Sequence, residues 1–200
     1  MPSGHEIGEE IEHVAHGNRN IALLVAVLAL FLAFAATGAK STQTEAITEN
    51  LNSANLWMFF QGNRIQRALV QTTAETVETR PAGQLDDAAK AARAARVNSW
   101  KKQLARFESD PETKQGREEL MASAREAEHK RDRAMERYHL FEISAAAFEV
   151  GIVLASATVI TGLIALAWIA GALGFVGVAF MGFAVFAPQV SHLINVLHLF

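Results

Sequence analysis

Two carboxylates, Glu142 and Glu149, lie where a charged segment passes into the longest apolar stretch of the chain. Their spacing of seven residues puts both on nearly the same face of a helix. After Glu149 there are 38 residues without Asp, Glu, Lys or Arg before Pro188. A carboxylate within a membrane is a candidate for holding or relaying a cation or a proton, because such a charge is costly to keep there. Glu142 and Glu149 are therefore the candidate intramembrane or interfacial polar site.

The depth of Glu149 depends on where the span that follows it begins. Residues 150–170 alone provide 21 residues. As a helix they would measure about 31 Å, which is enough to cross a hydrocarbon core of about 30 Å. That length favours a carboxylate at the headgroup boundary. A contact between helices and an ion pathway are the two alternatives that the sequence leaves open.

No other group of residues predicts catalysis, a cofactor or a metal site. The sequence contains no cysteine, phosphate-binding loop, dinucleotide fingerprint, nucleophile elbow or two-histidine zinc motif. Glu9, His13 and His16 share one face of a possible tail helix that ends near Gly17, but a closed metal site needs more ligands. We therefore expect a protein that is not an enzyme and has no cofactor. The formal charge of −3 and the lack of a groove-reading motif also argue against nucleic acid as a partner.

The elements that position the carboxylates are predicted to be membrane-spanning helices. Residues 21–39 carry no charge, and residues 143–187 carry only Glu149. Between them, residues 40–142 contain 17 of the 18 Lys and Arg residues and 16 of the 21 acids. This pattern predicts an all-α integral membrane protein with three transmembrane helices, and with a helical, coiled-coil-like domain inserted between the first and the second.

The predicted segments follow from these boundaries. In chain order they are an acidic tail or short amphipathic helix at 1–19, a span at 20–39, the polar domain at 40–142, spans at 143–170 and 171–187 joined by a turn at 171–174, and an apolar interfacial segment at 188–200. Positive charges favour the cytoplasmic side of a span. Those beside the polar domain outnumber Arg19, the single base beside the tail. The rule predicts a cytoplasmic polar domain and an N-terminus outside.

Within the polar domain the spacing predicts three helices. The first continues from the opening span through residues 41–79, with Ile47, Leu51, Ala54 and Met58 at steps of four, three and four. Residues 80–83 interrupt the chain, and residues 84–108 favour a second helix. The third is predicted to start at Ser109 and to carry a seam with 4–3 spacing, formed by Leu120, Ala124, Ala127, Arg131, Ala134, Tyr138 and Phe141. Three full antiparallel passes would end on the wrong side of the domain, so one helix must depart from a full pass.

Two surfaces of the polar domain are candidate contact sites. The aromatic and apolar cluster of Trp57, Met58, Phe59 and Phe60 is dense for a polar helix. It predicts either packing among several helices or contact with another subunit. Lys101, Lys102 and Arg106 belong to a segment with six bases and no acid between residues 88 and 107. They predict either a solvated basic face or contact with anionic lipid headgroups.

The polar helix "NLNSANLWMFFQGNRIQRA" at residues 50–68, following a span and an acidic tail, resembles an uncharacterised family of bacterial membrane proteins, domain of unknown function 4337. Asn55, Trp57, Phe60, Gln61 and Arg64 match its pattern. The resemblance implies a bacterial inner-membrane protein and brings no catalytic residues. We interpret the chain as a non-enzymatic scaffold, homo-oligomer or accessory subunit of a membrane complex. The alternative is a channel or transport component that uses Glu149.

Overall fold

The computed structural model describes residues 4–81, 83 and 86–186, with side chains from residue 19 onward. These residues form four α-helices and no strand: α1 spans Gly4–Thr79, α2 Asp87–Glu108, α3 Arg117–Thr161 and α4 Ile164–Phe186. The all-α prediction is confirmed. Helices α1, α3 and α4 each contain a segment long and apolar enough to cross a membrane, which indicates a membrane protein. The apolar segment predicted at 188–200 lies outside the described residues.

Helix α1 passes without interruption from the first apolar segment into the polar domain, as the sequence predicted. The helix also runs through Gly17, so the prediction of a stop there is wrong. A single glycine lowers helix stability by about 1 kcal/mol, which is too little to end a helix that continues favourably on both sides.

The chain divides into two compact units. The span unit comprises Met1–Ala46 and Asp132–Phe200, and the polar unit comprises Ile47–Arg131. The span unit thus contains the three apolar segments, and the polar unit contains most of the charged residues.

In the span unit, a glycine brings α4 into direct contact with α3. Phe148 of α3 is fully buried and stacks on Phe31 of α1, with ring centroids 5.7 Å apart. A Cβ atom on Gly177 of α4 would lie 2.7 Å from the Phe148 ring. Ser144 of α3 is also buried, and its hydroxyl donates a hydrogen bond of 2.7 Å to the Gly177 carbonyl. Small residues allow this close approach, which is how helices commonly pack within membranes.

The turn between the second and third apolar helices lies at residues 162–163, not at residues 171–174. Helix α3 ends at Thr161, and Gly162 has a φ of +73°. Residues with a Cβ atom rarely adopt that conformation, so the glycine suits the reversal of the chain.

Residues 171–174 instead lie inside α4, where small side chains serve packing. Ala170, Gly174 and Gly177 are buried at steps of four and three. The predicted division into spans at 143–170 and 171–187 is therefore wrong, because Gly171 and Gly174 lie inside α4, and Gly174 allows the Leu28 side chain to approach.

In the polar unit, α2 and α3 return along α1 one after the other. Contacts with α1 progress steadily backwards along it as the chain advances through α2 and α3. In order they join Glu78 to Lys101, Arg67 to Glu108, Asn63 to Gln115, Trp57 to Glu128 and Asn50 to Arg131. The three helices thus make two passes, because the return pass is shared between α2 and the start of α3. This arrangement resolves the parity problem posed by three full passes.

A loop interrupts the return pass between Glu108, where α2 ends, and Arg117, where α3 begins. The prediction that the third helix starts at Ser109 is therefore wrong. The Ser109 hydroxyl donates to Glu119 at 2.6 Å, and the Asp110 amide donates to the same carboxylate at 3.2 Å. Ser109 and Asp110 are therefore held by a side chain ten and nine residues further on, instead of capping a helix that starts beside them. A Cβ atom on Gly116 would lie 2.4 Å from the Asp110 amide nitrogen, so the loop closes tightly at this glycine.

We expect Gly177→Ala to destabilise the span unit, because the added Cβ atom would overlap the Phe148 ring. Overpacking of this kind typically costs about 1–3 kcal/mol. Thermal unfolding of the purified protein in detergent, followed by circular dichroism, would measure the effect. Gly182→Ala is the matched control, since its Cβ atom would meet nothing within 4 Å. Equal unfolding temperatures for the two variants would contradict the assigned contact.

Candidate functional site

Glu149 lies level with the middle of α4. Seven residues of α3 separate Ser144, which bonds to Gly177, from Gly151, where a Cβ atom would lie 3.3 Å from the Ala170 carbonyl oxygen. Glu149 lies between these two contacts and is therefore level with the stretch of α4 between Ala170 and Gly177. That stretch begins six residues after the start of α4 and finishes nine residues before its end.

The first apolar segment gives the same depth. On α1, Leu28 contacts Gly151, and Phe31 stacks on Phe148. Leu28 lies seven residues after the start of the uncharged stretch at residues 21–39, and Phe31 lies eight residues before its end. Glu149 is thus level with the middle of the apolar segments of α1 and α4.

The argument that favoured a carboxylate at the headgroup boundary loses its premise, and the depth of Glu149 stays a prediction. That argument assumed that the second span ran from residue 150 to residue 170, whereas α3 ends at Thr161. The 12 residues from Val150 to Thr161 would extend only about 18 Å, too short to cross a bilayer core of about 30 Å. The span must therefore begin well before Glu149, which favours the intramembrane alternatives.

Glu149 differs from Glu142 in its surroundings, although the two share a helix face. The side chain of Glu149 is exposed and has no hydrogen-bond or ion-pair partner among the described residues. Glu142 accepts a hydrogen bond of 2.5 Å from the Tyr138 hydroxyl and lies 3.5 Å from Nδ1 of His139. Its neighbour Phe141 packs near the end of α4, so Glu142 lies towards the edge of the apolar layer. Of the two carboxylates, Glu149 is therefore the one without a polar partner among the described residues.

The structure divides the predicted contact cluster of the polar unit. Trp57 is half-buried, donates a hydrogen bond of 2.8 Å from Nε1 to Glu128, and packs edge-on against Phe60 with ring centroids 5.3 Å apart. Met58 and Phe59 are 68% and 69% exposed. Two of the four residues thus hold the polar unit together, and two face outwards.

Two opposite faces of α1 in the polar unit carry a 4–3 repeat. The inner seam faces α2 and α3 and consists of Glu49, Ser53, Leu56, Phe60, Asn63, Arg67, Val70, Ala74 and Val77, all buried or half-buried. The outer seam consists of Ile47, Leu51, Ala54, Met58, Gln61, Ile65 and Ala68, all exposed. The regular apolar spacing seen in the sequence therefore belongs to the face that the polar unit leaves uncovered.

Between residues 47 and 68 the polarity of the two seams is the reverse of that expected for an isolated soluble bundle, since four of the six inner-seam residues are polar and six of the seven outer-seam residues are apolar. The inner seam includes Glu49, Asn63 and Arg67, whereas the outer seam has one strongly polar residue, Gln61. Helices of globular proteins usually bury the apolar stripe and expose the polar one. The sequence-based reasoning did not identify which face of α1 is covered by α2 and α3. The polar residues at 4–3 spacing on the inner seam were the signal that could have done so.

Ion pairs join the inner seam to the break between α2 and α3. Arg117 donates to Glu108 through Nε at 3.0 Å and also through Nη2, and Arg67 lies 3.6 Å from the same carboxylate. The hydrogen bonds from Arg117 hold the pKa of Glu108 below its usual value. Glu108 is therefore a charged link between α1, the end of α2 and the start of α3.

Two of the three bases predicted to contact anionic lipid already have acidic partners. Lys101 pairs with Glu78 at 2.9 Å, and Arg106 pairs with Asp110 at 2.9 Å. The hydrogen bond from Arg106 lowers the pKa of Asp110. Lys102 is exposed. Contact with anionic lipid at these residues stays a prediction.

No group of three or more His, Cys, Asp or Glu residues is placed to hold a metal ion in the part of the chain whose side chains are described. His13 and His16 of the tail, and His192 and His198 near the C-terminus, lie outside that part. The arrangement offers surfaces and one isolated carboxylate, and not a constellation of groups suited to bond-making chemistry.

A family model described as "Domain of unknown function (DUF4337)" matches residues 17–187. The match covers the three apolar helices and the whole polar unit, including the polar helix that carries the resemblance. No curated protein and no solved structure matches the chain.

Proposed function

The chain belongs to the DUF4337 family, a domain of unknown function, and we propose that it is a non-enzymatic membrane protein that acts through assembly. Its role would be that of a scaffold, a homo-oligomer or an accessory subunit of a membrane complex. The observation that carries this proposal is the polarity of α1 between residues 47 and 68, where four of the six inner-seam residues are polar and six of the seven exposed outer-seam residues are apolar.

Burial of the outer seam by a partner would cover these apolar residues. Leu51, Met58 and Ile65 are 60%, 68% and 71% exposed and follow one another along a single face. Single exposed apolar residues are ordinary on protein surfaces, but a continuous apolar face usually marks an interaction site. Among the described residues of the polar unit, we find no group of side chains suited to catalysis.

The assembly role predicts that the protein extracted into native-lipid nanodiscs contains more than one polypeptide chain per particle. Mass photometry, together with denaturing mass spectrometry of the same particles, would count the chains and identify their masses. Met58→Glu should release the partner, because a carboxylate buried in an apolar interface without a counter-charge costs several kcal/mol. Lys102→Glu, an exposed change elsewhere in the polar unit, is the control. A single chain per particle across a range of extraction conditions would refute the assembly role.

A second candidate function is favoured by Glu149. This carboxylate is exposed, is level with the middle of the apolar segments of α1 and α4, and has no partner among the described residues. Intramembrane acidic groups commonly lie on ion or proton pathways. The alternative proposal is therefore a channel or transport component in which Glu149 binds the conducted proton or cation.

Conduction predicts that proteoliposomes dissipate a proton or cation gradient and that Glu149→Gln abolishes this flux, since the amide cannot supply a negative charge. A pH-sensitive dye enclosed in the liposomes would report proton flux, and cation-sensitive dyes would report the other ions. Glu142→Gln is the matched control, because Glu142 lies towards the edge of the apolar layer and is expected to retain flux. Absence of wild-type flux under every gradient would exclude this function.

We also propose that the protein resides in a bacterial inner membrane, with the polar unit in the cytoplasm and the N-terminus outside. The bases at residues 130–137 support this orientation through the positive-inside rule. Contact of Lys101, Lys102 and Arg106 with anionic lipid belongs to the same proposal, since anionic headgroups attract bases at the cytoplasmic surface.

Labelling of single cysteines tests this orientation cleanly, because the chain has none of its own. Thr113→Cys, in the exposed loop between α2 and α3, should react with a membrane-impermeant maleimide only after the cells are opened. Ser3→Cys should react in intact cells. The opposite pattern would reverse the orientation.

A further inference from the structure

The outer seam has the spacing of a coiled-coil interface. Its members recur at steps of four and three from Ile47 to Ala68, which is three heptads. An ideal straight helix drifts by about 20° per heptad from such a repeat. The inner seam of the same helix also follows a repeat of 3.5 residues and is held by α2 and α3. If α1 coils so that its inner seam stays against α2 and α3, residues at the same repeat on the opposite side stay together on one face. The outer seam is such a set of residues.

We infer that the outer seam joins two copies of this chain in a parallel, in-register pair of α1 helices. The inference rests on the proposed assembly role and names the partner for the same surface. In this pairing Leu51, Met58 and Ile65 occupy one core position of the heptad, and Ile47, Ala54 and Gln61 occupy the other. Copies that insert into one membrane by the same route share an orientation, so their α1 helices run in the same direction.

The surface available suits a dimer. Ile47, Leu51, Met58, Ile65 and the flanking Leu69 are 56%, 60%, 68%, 71% and 69% exposed. At roughly 200 Å² for each residue, these fractions amount to about 650 Å², close to the approximately 800 Å² that one partner buries in a standard interface. The seam thus supplies most of the apolar area that a stable two-fold contact requires.

The charges beside the seam favour an identical partner. The positions that flank a coiled-coil core usually select the partner by opposite charge and reject it by like charge. Here the flanks contain Asn50, Trp57, Asn55 and Gly62, and Arg64 is the one charged residue among the flanking positions from 48 to 71. In a parallel pair the residue across from Arg64 is Leu69 of the other copy, so two Arg64 side chains do not oppose each other. An identical seam therefore meets no electrostatic barrier, and an oppositely charged partner gains no advantage.

One polar residue within the seam favours alignment. Gln61 is flanked along the seam by apolar residues, so any shift of the two copies would bury its amide against an apolar surface. In the in-register pair the two Gln61 amides oppose each other and can exchange hydrogen bonds. A single buried amide in a coiled-coil core is an established device for fixing register.

Disulfide cross-linking of the full-length chain in its native membrane tests the pairing. Ala54→Cys should form a product of twice the chain mass on mild oxidation, because the two residues at this core position face each other. Gln66→Cys is the control, since it is exposed but lies away from the seam. The high effective concentration within a dimer predicts a cross-linking rate about tenfold or more above that of the control.

A second variant protects this test against random collision and against misfolding. Ile65→Glu combined with Ala54→Cys should reduce the rate to that of Gln66→Cys, and unchanged helicity by circular dichroism would show that the chain still folds. Equal rates for Ala54→Cys and Gln66→Cys would refute the seam. A cross-linked product containing a different polypeptide would overturn the identity of the partner and leave the proposed assembly role in place. Particles with a single chain would overturn both.

Discussion

Packing along α1 depends on a constraint of spacing, since the residues covered by its neighbours recur every 3.5 residues. Every position of this repeat is buried or half-buried from Val25 to Ala46 in the span unit, and the same is true from Glu49 to Val77 in the polar unit. An ideal straight helix has 3.6 residues per turn, so a seam of this length stays covered only if the helices coil about one another. The constraint holds in both units, but different chemistry satisfies it in each. The span unit uses glycine opposite aromatic rings, and the polar unit uses hydrogen bonds and ion pairs.

This difference in chemistry sets what each unit can do. In the span unit, the Phe148 ring packs closely against the backbone of Gly177, a contact that leaves no room for a larger side chain at position 177. In the polar unit, the bonds of Trp57 and Arg67 to acidic partners replace bonds that the same groups would make with water. Each such exchange contributes only about 1 kcal/mol net. The apolar residues of the outer seam lie on the outside of the polar unit and do not contribute to its internal packing.

The distribution of charge was sufficient to predict the helical class, the three apolar helices and the unbroken passage of α1 into the polar domain. Three residues of the 4–3 stripe predicted on α3, Ala124, Ala127 and Ala134, are buried. The turn was misplaced because two sets of glycines look alike in sequence. Gly162 reverses the chain, whereas Gly174 lies in a helix beside Leu28, a residue nearly 150 positions away.

That one error also displaced the predicted depth of Glu149. Moving the turn by nine residues shifts the end of the helix by about 14 Å, which removes the reason for expecting Glu149 at the headgroup boundary. The start of α3 was misjudged for a related reason, since Ser109 is a good helix cap by type but its hydroxyl bonds to Glu119. The covered face of α1 was equally hidden, because both of its faces have the 4–3 spacing. Local sequence indicates which residues favour a turn or a face, and distant residues decide which of them is used.

The order of contacts in the polar unit has a consequence for how the chain folds. Successive pairs are nested: Arg93 bonds to the Glu78 carbonyl across 15 positions, Asn63 to Gln115 across 52, Trp57 to Glu128 across 71 and Asn50 to Arg131 across 81. Closing the longest of these loops first would carry the largest entropic cost, whereas each inner pair shortens the loop that the next must close. The contacts of the unit are therefore arranged to form in order along α1, from Glu78 towards Asn50. Until residues 117–131 leave the ribosome, Ser53 and Trp57 lack the Glu128 carboxylate to which both donate hydrogen bonds.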